Sequence, residues 1–221
     1  LAESSCSVLS HMGLDGRACQ EDRLRMGSFP TFRLTMLESD VILLSFGQPG
    51  GAASLQLAET LDELSVVIDQ VQADRRLVGL VIACGAPIAM AETPHLSQGD
   101  VLPLLQPPMS VHASHRGQYL FRRLSNGPLV TVAAIDGICA GVFCELCSWC
   151  DRRIMSDAPG TKVVLPHVRL GLLPGCGGTV RIPRLVGIAN AFRLIAKGHP
   201  VDGQAAAAMG WATELVPRRG L

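Results

Sequence analysis

Apolar positions in the first half of the chain form two short runs, one helical stripe and one continuous run. The short runs, residues 32–37 and 40–46, predict two strands joined by a turn at 38–40. From Leu55 to Ala73 the apolar residues recur at helical spacing while the acidic residues face elsewhere, which predicts an amphipathic helix. Gly79 to Cys84 is a continuous apolar run, typical of a buried parallel strand. Strand, helix and buried strand in this order predict a βαβ unit and an α/β fold.

The second half begins with a stretch rich in Pro, Gly and Ser, residues 85–110, which predicts a loop. The elements predicted after this loop are a helix at 116–124, a buried strand at 129–135, a helix at about 141–150, short strands at 153–155 and 161–165, a Gly-rich turn at 175–179 that opens a helix at about Val180, and helical turns at 190–196 and 203–209. Residues 1–30 show no periodicity. They predict a poorly structured tail ahead of one domain over residues 31–217.

Composition narrows the class of protein. Apolar residues make up 48% of the 221 residues, so a sizeable core can be buried. Nineteen basic residues balance nineteen acidic ones, which gives no electrostatic footprint for nucleic acid and no basic face for an anionic membrane. The chain has no stretch of the roughly 18 uncharged apolar residues that a spanning helix needs. A small anionic ligand would therefore be held by local donors.

Eight cysteines raise the question of a metal cluster, because Cys144, Cys147 and Cys150 have C-x-x-C-x-x-C spacing. A bacterial iron–sulfur run would continue with another Cys and a Pro, whereas Asp151 and two arginines follow here. We therefore interpret the thiols as small, buried, reduced core residues. This cysteine usage indicates the reducing cytoplasm rather than a secreted disulfide framework.

The segment from Ala134 to Gly187 carries several motifs in close succession. They are Cys-Glu-Leu at 144–146, Cys-Asp-Arg-Arg-Ile at 150–154, and Leu-Gly-Leu-Leu-Pro-Gly-Cys-Gly-Gly-Thr at 170–179. These motifs closely resemble the signature region of the crotonase (enoyl-CoA hydratase/isomerase) superfamily. The stretches Asp-Ala-Pro-Gly-Thr at 157–161 and Gly-Thr-Val-Arg at 178–181 most resemble the hydratase domain of multifunctional fatty-acid oxidation α-subunits. The resemblance is strong over 129–217 and weak over 85–115.

The resemblance implies a spiral of repeated ββα units, with further C-terminal helices of the family fold beyond Leu221. It implies an acyl-CoA thioester as substrate and hydration of a trans-2-enoyl-CoA to a 3-hydroxyacyl-CoA in fatty-acid β-oxidation. No organic cofactor or metal is implied for the reaction. The implied partners are a covalently linked 3-hydroxyacyl-CoA dehydrogenase module or a thiolase subunit, within an oligomer.

Crotonase chemistry places negative charge on the thioester oxygen, which backbone N–H donors must stabilise. By resemblance, one donor is the N–H of Val142, where the family usually has Gly. The second is the N–H of Ala91, in a loop where Met90 replaces a family Gly; a plain surface loop is an equal alternative there. Gly141, Pro174, Gly175 and Gly177 are the implied substrate-binding residues, since the Gly-rich turn walls the acyl pocket in the family.

Glu145 matches the family's first catalytic carboxylate, a general acid/base that holds the attacking water. His167 occupies the position of the second carboxylate, in Leu-Pro-His where the family usually has Leu-Pro-Glu. A His can accept or donate a proton near neutral pH, although its ring differs from a carboxylate in shape and reach. A working variant, a much slower hydratase and a binding-only relic all remain open.

Two other functions compete with hydration. One is a different crotonase reaction on an acyl thioester, dehydration or isomerisation; the absent second Glu counts against isomerisation. The other is a catalytically inactive acyl-CoA-binding or assembly domain. Glu145 favours the enzyme, whereas Val142, Met90 and His167 favour the inactive domain.

Overall fold

A computed structural model describes residue 29 and residues 31–37, 40–46, 57–84 and 109–221. The predicted tail therefore lies outside the described residues apart from Phe29, and so does most of the loop that contains Ala91. The strands are β1 (Phe32–Met36), β2 (Val41–Phe46), β3 (Gly79–Cys84), β4 (Val130–Ile135), β5 (Ile138–Ala140), β6 (Arg152–Ser156), β7 (Lys162–Val164), β8 (Val201–Asp202) and β9 (Glu214–Val216). The helices are α1 (Leu57–Ala73), α2 (Met109–Ser125), α3 (Gly141–Trp149), α4 (Gly178–Lys197) and α5 (Gly203–Ala208), with 3₁₀ turns at Pro166–Leu170 and Arg218–Gly220.

The described strands form two sheets. The larger has the order β1-β2-β3-β4-β6-β9, with β1 and β2 antiparallel and the other pairs parallel. The smaller has the order β5-β7-β8, with β5 and β7 parallel and β7 and β8 antiparallel. The predicted strand pair and the βαβ unit formed by β2, α1 and β3 are confirmed. None of the described helices is long and apolar enough to cross a membrane.

A two-residue turn moves the chain from the large sheet to the small one. Asp136 and Gly137 separate β4 from β5, and Gly137 adopts a φ of 126° that favours glycine. The N–H of Gly137 donates to Oγ1 of Thr161 at 3.1 Å, and its carbonyl accepts from the N–H of Lys162 at 2.9 Å. This turn places β5, and α3 directly after it, beside the carboxyl ends of the parallel strands.

The core lies between the large sheet and the helices. The apolar stripe of α1 is buried at Leu61, Leu64, Val67, Ile68 and Val71, as the periodicity predicts. Each fully buried aliphatic side chain of this kind contributes about 1.5–3 kcal/mol relative to leaving it exposed. The central strand β3 contributes its alternate residues, Leu80, Ile82 and Cys84, to the same cluster. The hydrophobic pattern therefore sets the register of the sheet that positions the site.

The largest differences from the predicted boundaries concern α2 and α4. Helix α2 begins at Met109 rather than Arg116, and its first turns carry exposed side chains such as Val111 and His112, so they lack an apolar stripe. Helix α4 begins at Gly178 rather than Val180 and continues to Lys197. The predicted helix at 190–196 is its second part, after a non-helical Gly187 with φ 77° and ψ 161°. The strands β5, β8 and β9 have two or three residues each, too few for alternation to reveal them.

A buried arginine ties β6 to the residues that precede β9. Arg153 is 4% exposed; its Nε donates to the carbonyl of Trp211 at 2.6 Å and its Nη1 to the carbonyl of Cys150 at 2.7 Å. Burial lowers the pKa of this guanidinium from its usual value. The cation is therefore held in the interior by carbonyl dipoles.

Candidate active site

Helix α3 carries a carboxylate into the protein interior. Glu145 is 1% exposed, and its helical neighbours Phe143, Cys144, Leu146 and Cys147 are buried too. A helix with apolar residues on every face is buried as a whole, so Glu145 has no solvated side to face. Burying a carboxylate is costly unless hydrogen bonds compensate for the lost water.

The Gly-rich turn at residues 175–178, where α4 begins, supplies that compensation. The N–H of Gly178 donates to Oε1 of Glu145 at 2.8 Å. Burial raises the pKa of Glu145 to about 7, while N–H donors from Gly178, Cys176 and Gly175 act in the opposite direction. Close to neutral pH this carboxyl group is therefore balanced between its acid and base forms, as proton transfer requires.

His167 faces the other oxygen of the same carboxyl group. It lies in the 3₁₀ turn Pro166–Leu170, which ends at Gly171 with a φ of 73°. Its Nε2 is 3.6 Å from Oε2 of Glu145, and its side chain is 15% exposed. Burial lowers the pKa of His167 to about 4. Its Nδ1 is buried and has no hydrogen-bond partner among the described residues.

The two pKa values determine the charge state of the pair. Between about pH 4 and about pH 7, Glu145 retains its proton and His167 is neutral, so the contact joins two uncharged groups. This arrangement differs from an ion pair although its distance is within ion-pair range. Glu145 can then donate a proton and His167 can accept one, as general acid–base catalysis requires.

Glycine is required in the turn that holds Glu145. At Gly177, with a φ of 101°, an added Cβ would lie 2.8 Å from Cζ2 of Trp149. At Gly178 an added Cβ would lie 2.8 Å from Oε1 of Glu145 and 3.0 Å from Cβ of Pro174. The predicted pocket residues Pro174, Gly175 and Gly177 are therefore close to Glu145, or to the residues that hold it.

Val142 lies at the start of the same helix. It is the second residue of α3, so its N–H has no intrahelical acceptor. Gly141 takes the left-handed conformation, with a φ of 58°, while Val142 does not. The branched Val142 side chain is thus accommodated without a positive φ. Val142 and Glu145 are one helical turn apart, which puts an N–H donor and a carboxyl group in one neighbourhood. Ala91, the predicted second donor, lies outside the described residues.

Comparison with known proteins connects this geometry to a family. The enoyl-CoA hydratase/isomerase family profile matches residues 37–221. The chain is 33% identical over 187 residues to the fatty acid oxidation complex subunit alpha of Shewanella amazonensis, covering 85% of the chain and 26% of that protein. The chain belongs to the enoyl-CoA hydratase/isomerase family. It spans about a quarter of the length of this relative and of the homologous subunits from Shewanella halifaxensis and Shewanella oneidensis, 26% in each case.

Solved structures confirm the fold of this family member. An enoyl-CoA hydratase from Bacillus anthracis superposes with a TM-score of 0.68 at 25% identity, covering 85% of this chain and 70% of that one. An enoyl-CoA hydratase from Thermoplasma volcanium superposes with a TM-score of 0.69 at 22% identity, covering 86% and 72%. At 22% identity, the Thermoplasma volcanium structure shows only that the fold is shared. The predicted α/β crotonase fold is confirmed.

The sequence did not reveal two features of this family member's site. The hydrogen bond from Gly178 to Glu145 joins residues 33 positions apart, and a backbone donor leaves no residue-type signal. Trp149 was also missed: its Nε1 is buried without a hydrogen-bond partner in the described part of the chain, and the guanidinium of Arg181 lies 5.5 Å from its ring centroid. In the sequence, Trp149 ends an apolar helix and cannot be told from a core residue. Only the structure shows that it lies against the Gly-rich turn.

Proposed function

We propose that the chain catalyses the addition of water to a trans-2-enoyl-CoA, giving the 3-hydroxyacyl-CoA. The observation that carries this proposal is the buried Glu145 carboxyl group, whose pKa of about 7 is set by burial and whose Oε2 faces Nε2 of His167 at 3.6 Å. Perturbed titratable groups in contact, within a family that acts on acyl-CoA thioesters, support an acid–base reaction.

Glu145 and His167 have complementary roles in this proposal. A water molecule within hydrogen-bond reach of both groups loses one proton to Nε2 of His167 while its oxygen bonds to the β-carbon of the substrate. The electrons of the double bond move towards the thioester oxygen, and protonated Glu145 delivers its proton to the α-carbon. The resulting imidazolium then returns a proton to the Glu145 carboxylate through a bridging water, since the two groups are 3.6 Å apart, and this restores both groups.

The enolate that forms between these steps needs donors at the thioester oxygen. The N–H of Val142 is one, because it begins a helix whose N-terminal end is also positively polarised. The N–H of Ala91 is the proposed second. A single donor of this kind typically stabilises the transition state by about 3–4 kcal/mol. Gly141, directly before Val142, is a proposed substrate-binding residue, and Pro174, Gly175 and Gly177 form the proposed wall of the acyl pocket.

The biological setting follows from the relatives. Proteins named as fatty acid oxidation complex subunit alpha match this chain, so we place its reaction in fatty-acid β-oxidation. A 3-hydroxyacyl-CoA dehydrogenase module or a thiolase subunit is the proposed partner, within an oligomer. The six described cysteines are free, which supports a reducing compartment, and we propose the cytoplasm.

The decisive experiment follows the loss of enoyl absorbance as crotonyl-CoA is hydrated, with binding of the same thioester measured in parallel. Wild type should turn over, and His167→Ala should bind crotonyl-CoA but turn over about 10²–10⁴-fold more slowly. An acyl-CoA-binding domain is the second candidate, favoured by the pKa of His167 of about 4, which makes it a weak base. Tight binding without any turnover by the wild type would establish that candidate instead.

The proposed roles predict the pH dependence of turnover. Because Glu145 must hold its proton, kcat/KM should fall tenfold per pH unit above about pH 7. Because His167 must keep its lone pair, kcat/KM should also fall as the pH drops through about 4. The measurement is kcat/KM for crotonyl-CoA from about pH 3 to about pH 9, with circular dichroism to check folding. A rate that rises through pH 7 would reverse the two roles.

Gly178→Ala tests the hydrogen bond that orients Glu145. The new methyl group would lie 2.8 Å from Oε1 and 3.0 Å from Pro174, so the carboxyl group must leave its position. Misplacement by about 1 Å costs roughly 10²-fold in turnover, and we expect a loss of that size in kcat. Gly160→Ala is the matched control, because nothing lies within 4 Å of its added Cβ. Equal kcat in both variants would show that Glu145 needs no such positioning.

A further inference from the structure

Three thiols meet in the core beneath the candidate active site. The Sγ atoms of Cys84, Cys139 and Cys147 all lie within 4.8 Å of one another. The Cys84 and Cys147 sulfurs are 3.5 Å apart, and those of Cys139 and Cys147 are 3.8 Å apart. They come from the last residue of β3, the middle of β5 and the buried helix α3. Only Cys147 belongs to the C-x-x-C-x-x-C motif, so sequence spacing does not predict this group.

The sulfur spacing matches a metal–thiolate centre. With metal–sulfur bonds of about 2.3 Å, two ligands at a tetrahedral angle are separated by about 3.8 Å. The Cys139–Cys147 distance of 3.8 Å equals that value, and the Cys84–Cys147 distance of 3.5 Å is slightly shorter. Three thiolates are soft ligands and select Cu(I) or Zn(II) over Mg²⁺ and Ca²⁺. The three sulfurs are therefore already close to the spacing of thiolates that share one ion.

The surroundings also offer a compensating charge. Cys84, Cys139 and Cys147 are at most 2% exposed, so thiolates formed here lie in a dry interior. The buried guanidinium of Arg153 donates to the carbonyls of Trp211 and Cys150 and interacts electrostatically with Cys150 and Cys147. A Zn(II) ion with three thiolates carries one net negative charge, which the single charge of Arg153 offsets.

We propose that Cys84, Cys139 and Cys147 bind one thiophilic metal ion, of the Cu(I) or Zn(II) class, through their three sulfur atoms. Each thiol that coordinates as thiolate releases its proton to solvent, so the affinity for metal rises with pH. Cys147 follows Glu145 by two residues on α3, and Cys139 precedes Gly141 by two residues. The bound ion thus joins β3, β5 and α3 at a single point, and its binding raises the temperature of thermal unfolding.

The test is a titration of the reduced chain under anaerobic conditions with Cu(I) and, separately, with Zn(II), against a chelator of known affinity. We expect one equivalent of at least one ion to bind the wild type, with a higher unfolding temperature. Cys147→Ala and Cys84→Ala should bind that ion at least tenfold more weakly. Cys150→Ala is the matched control, because Cys150 is equally buried in the same region but lies outside the three-sulfur group. It should bind like the wild type.

A measurement on the wild type alone covers the case in which the variants fail to fold. X-ray absorption of the metal-loaded chain should show three sulfur neighbours at about 2.3 Å. Absence of equimolar binding for both ions would overturn the proposal, as would a coordination shell with fewer than three sulfur neighbours. Unchanged affinity in folded Cys147→Ala would overturn it too.

Discussion

Glu145→Gln should lower the rate of crotonyl-CoA hydration by about 10²–10⁴-fold, the usual contribution of a general acid. Gln cannot deliver a proton to the α-carbon, yet its Oε1 still accepts the N–H of Gly178, now 2.8 Å away. Because the fold is kept, binding of crotonyl-CoA should change little. The measurement is kcat and thioester affinity beside Glu214→Gln, a control whose carboxylate is exposed.

The same variant should gain stability above neutral pH. Burial raises the folded-state pKa of Glu145 to about 7, so the folded protein binds its proton more tightly than the unfolded chain. Stability from this group is therefore lost as the pH rises from about 4.5 to about 7, by about 3 kcal/mol in total. Gln lacks that loss, so urea unfolding at pH 8 should show the variant to be more stable. A less active variant without this gain would indicate that Glu145 ionises without penalty.

Trp211→Ala should destabilise the protein by about 3–5 kcal/mol, as expected for removing a fully buried aromatic side chain. Trp211 is 0% exposed, and its backbone accepts from Arg153 and donates to Ala206, so the cavity lies beside a buried cation. The measurement is the free energy of unfolding from urea denaturation at pH 6.

Trp211→Phe serves as the control for this second prediction. Phe retains most of the buried apolar area, and it removes an indole N–H that has no hydrogen-bond partner among the described residues. Trp211→Phe should lower the free energy of unfolding by at least about 2 kcal/mol less than Trp211→Ala does, since losing an unpaired buried donor removes nothing favourable. Similar losses for the two variants would mean that the aromatic ring does not fill this site.

Much of the fold was predictable because long apolar patterns determine it. The stripe of α1 and the continuous runs of β3 and β4 follow directly from burial on one or both faces. The first residues of α2 and α4 were not predictable, because an exposed or Gly-rich first turn has no apolar residues at helical spacing. Pairing of β5 with β7, and of β6 with β9, depends on contacts between distant segments that a three-residue strand does not encode.

The site was predictable in its residue types but not in its geometry. Resemblance brought Glu145 and His167 together, and the structure places them 3.6 Å apart. The pKa of each depends on burial by surrounding elements, which no local motif shows. The donor role of Gly178 arises from backbone position, and the three-sulfur group joins residues 8 and 63 positions apart. Of the three cysteines in the C-x-x-C-x-x-C motif, only Cys147 belongs to that group.

The two facing side chains are held by different backbone hydrogen bonds. Glu145 is bonded to the turn before α4, whereas the 3₁₀ turn that carries His167 closes on itself through the N–H groups of Gly171 and Leu172. Replacing the His167 side chain consequently does not remove the hydrogen bond from Gly178 to Glu145. A substitution at this one position would therefore change the group that faces Oε2 of Glu145, while Oε1 keeps its backbone donor.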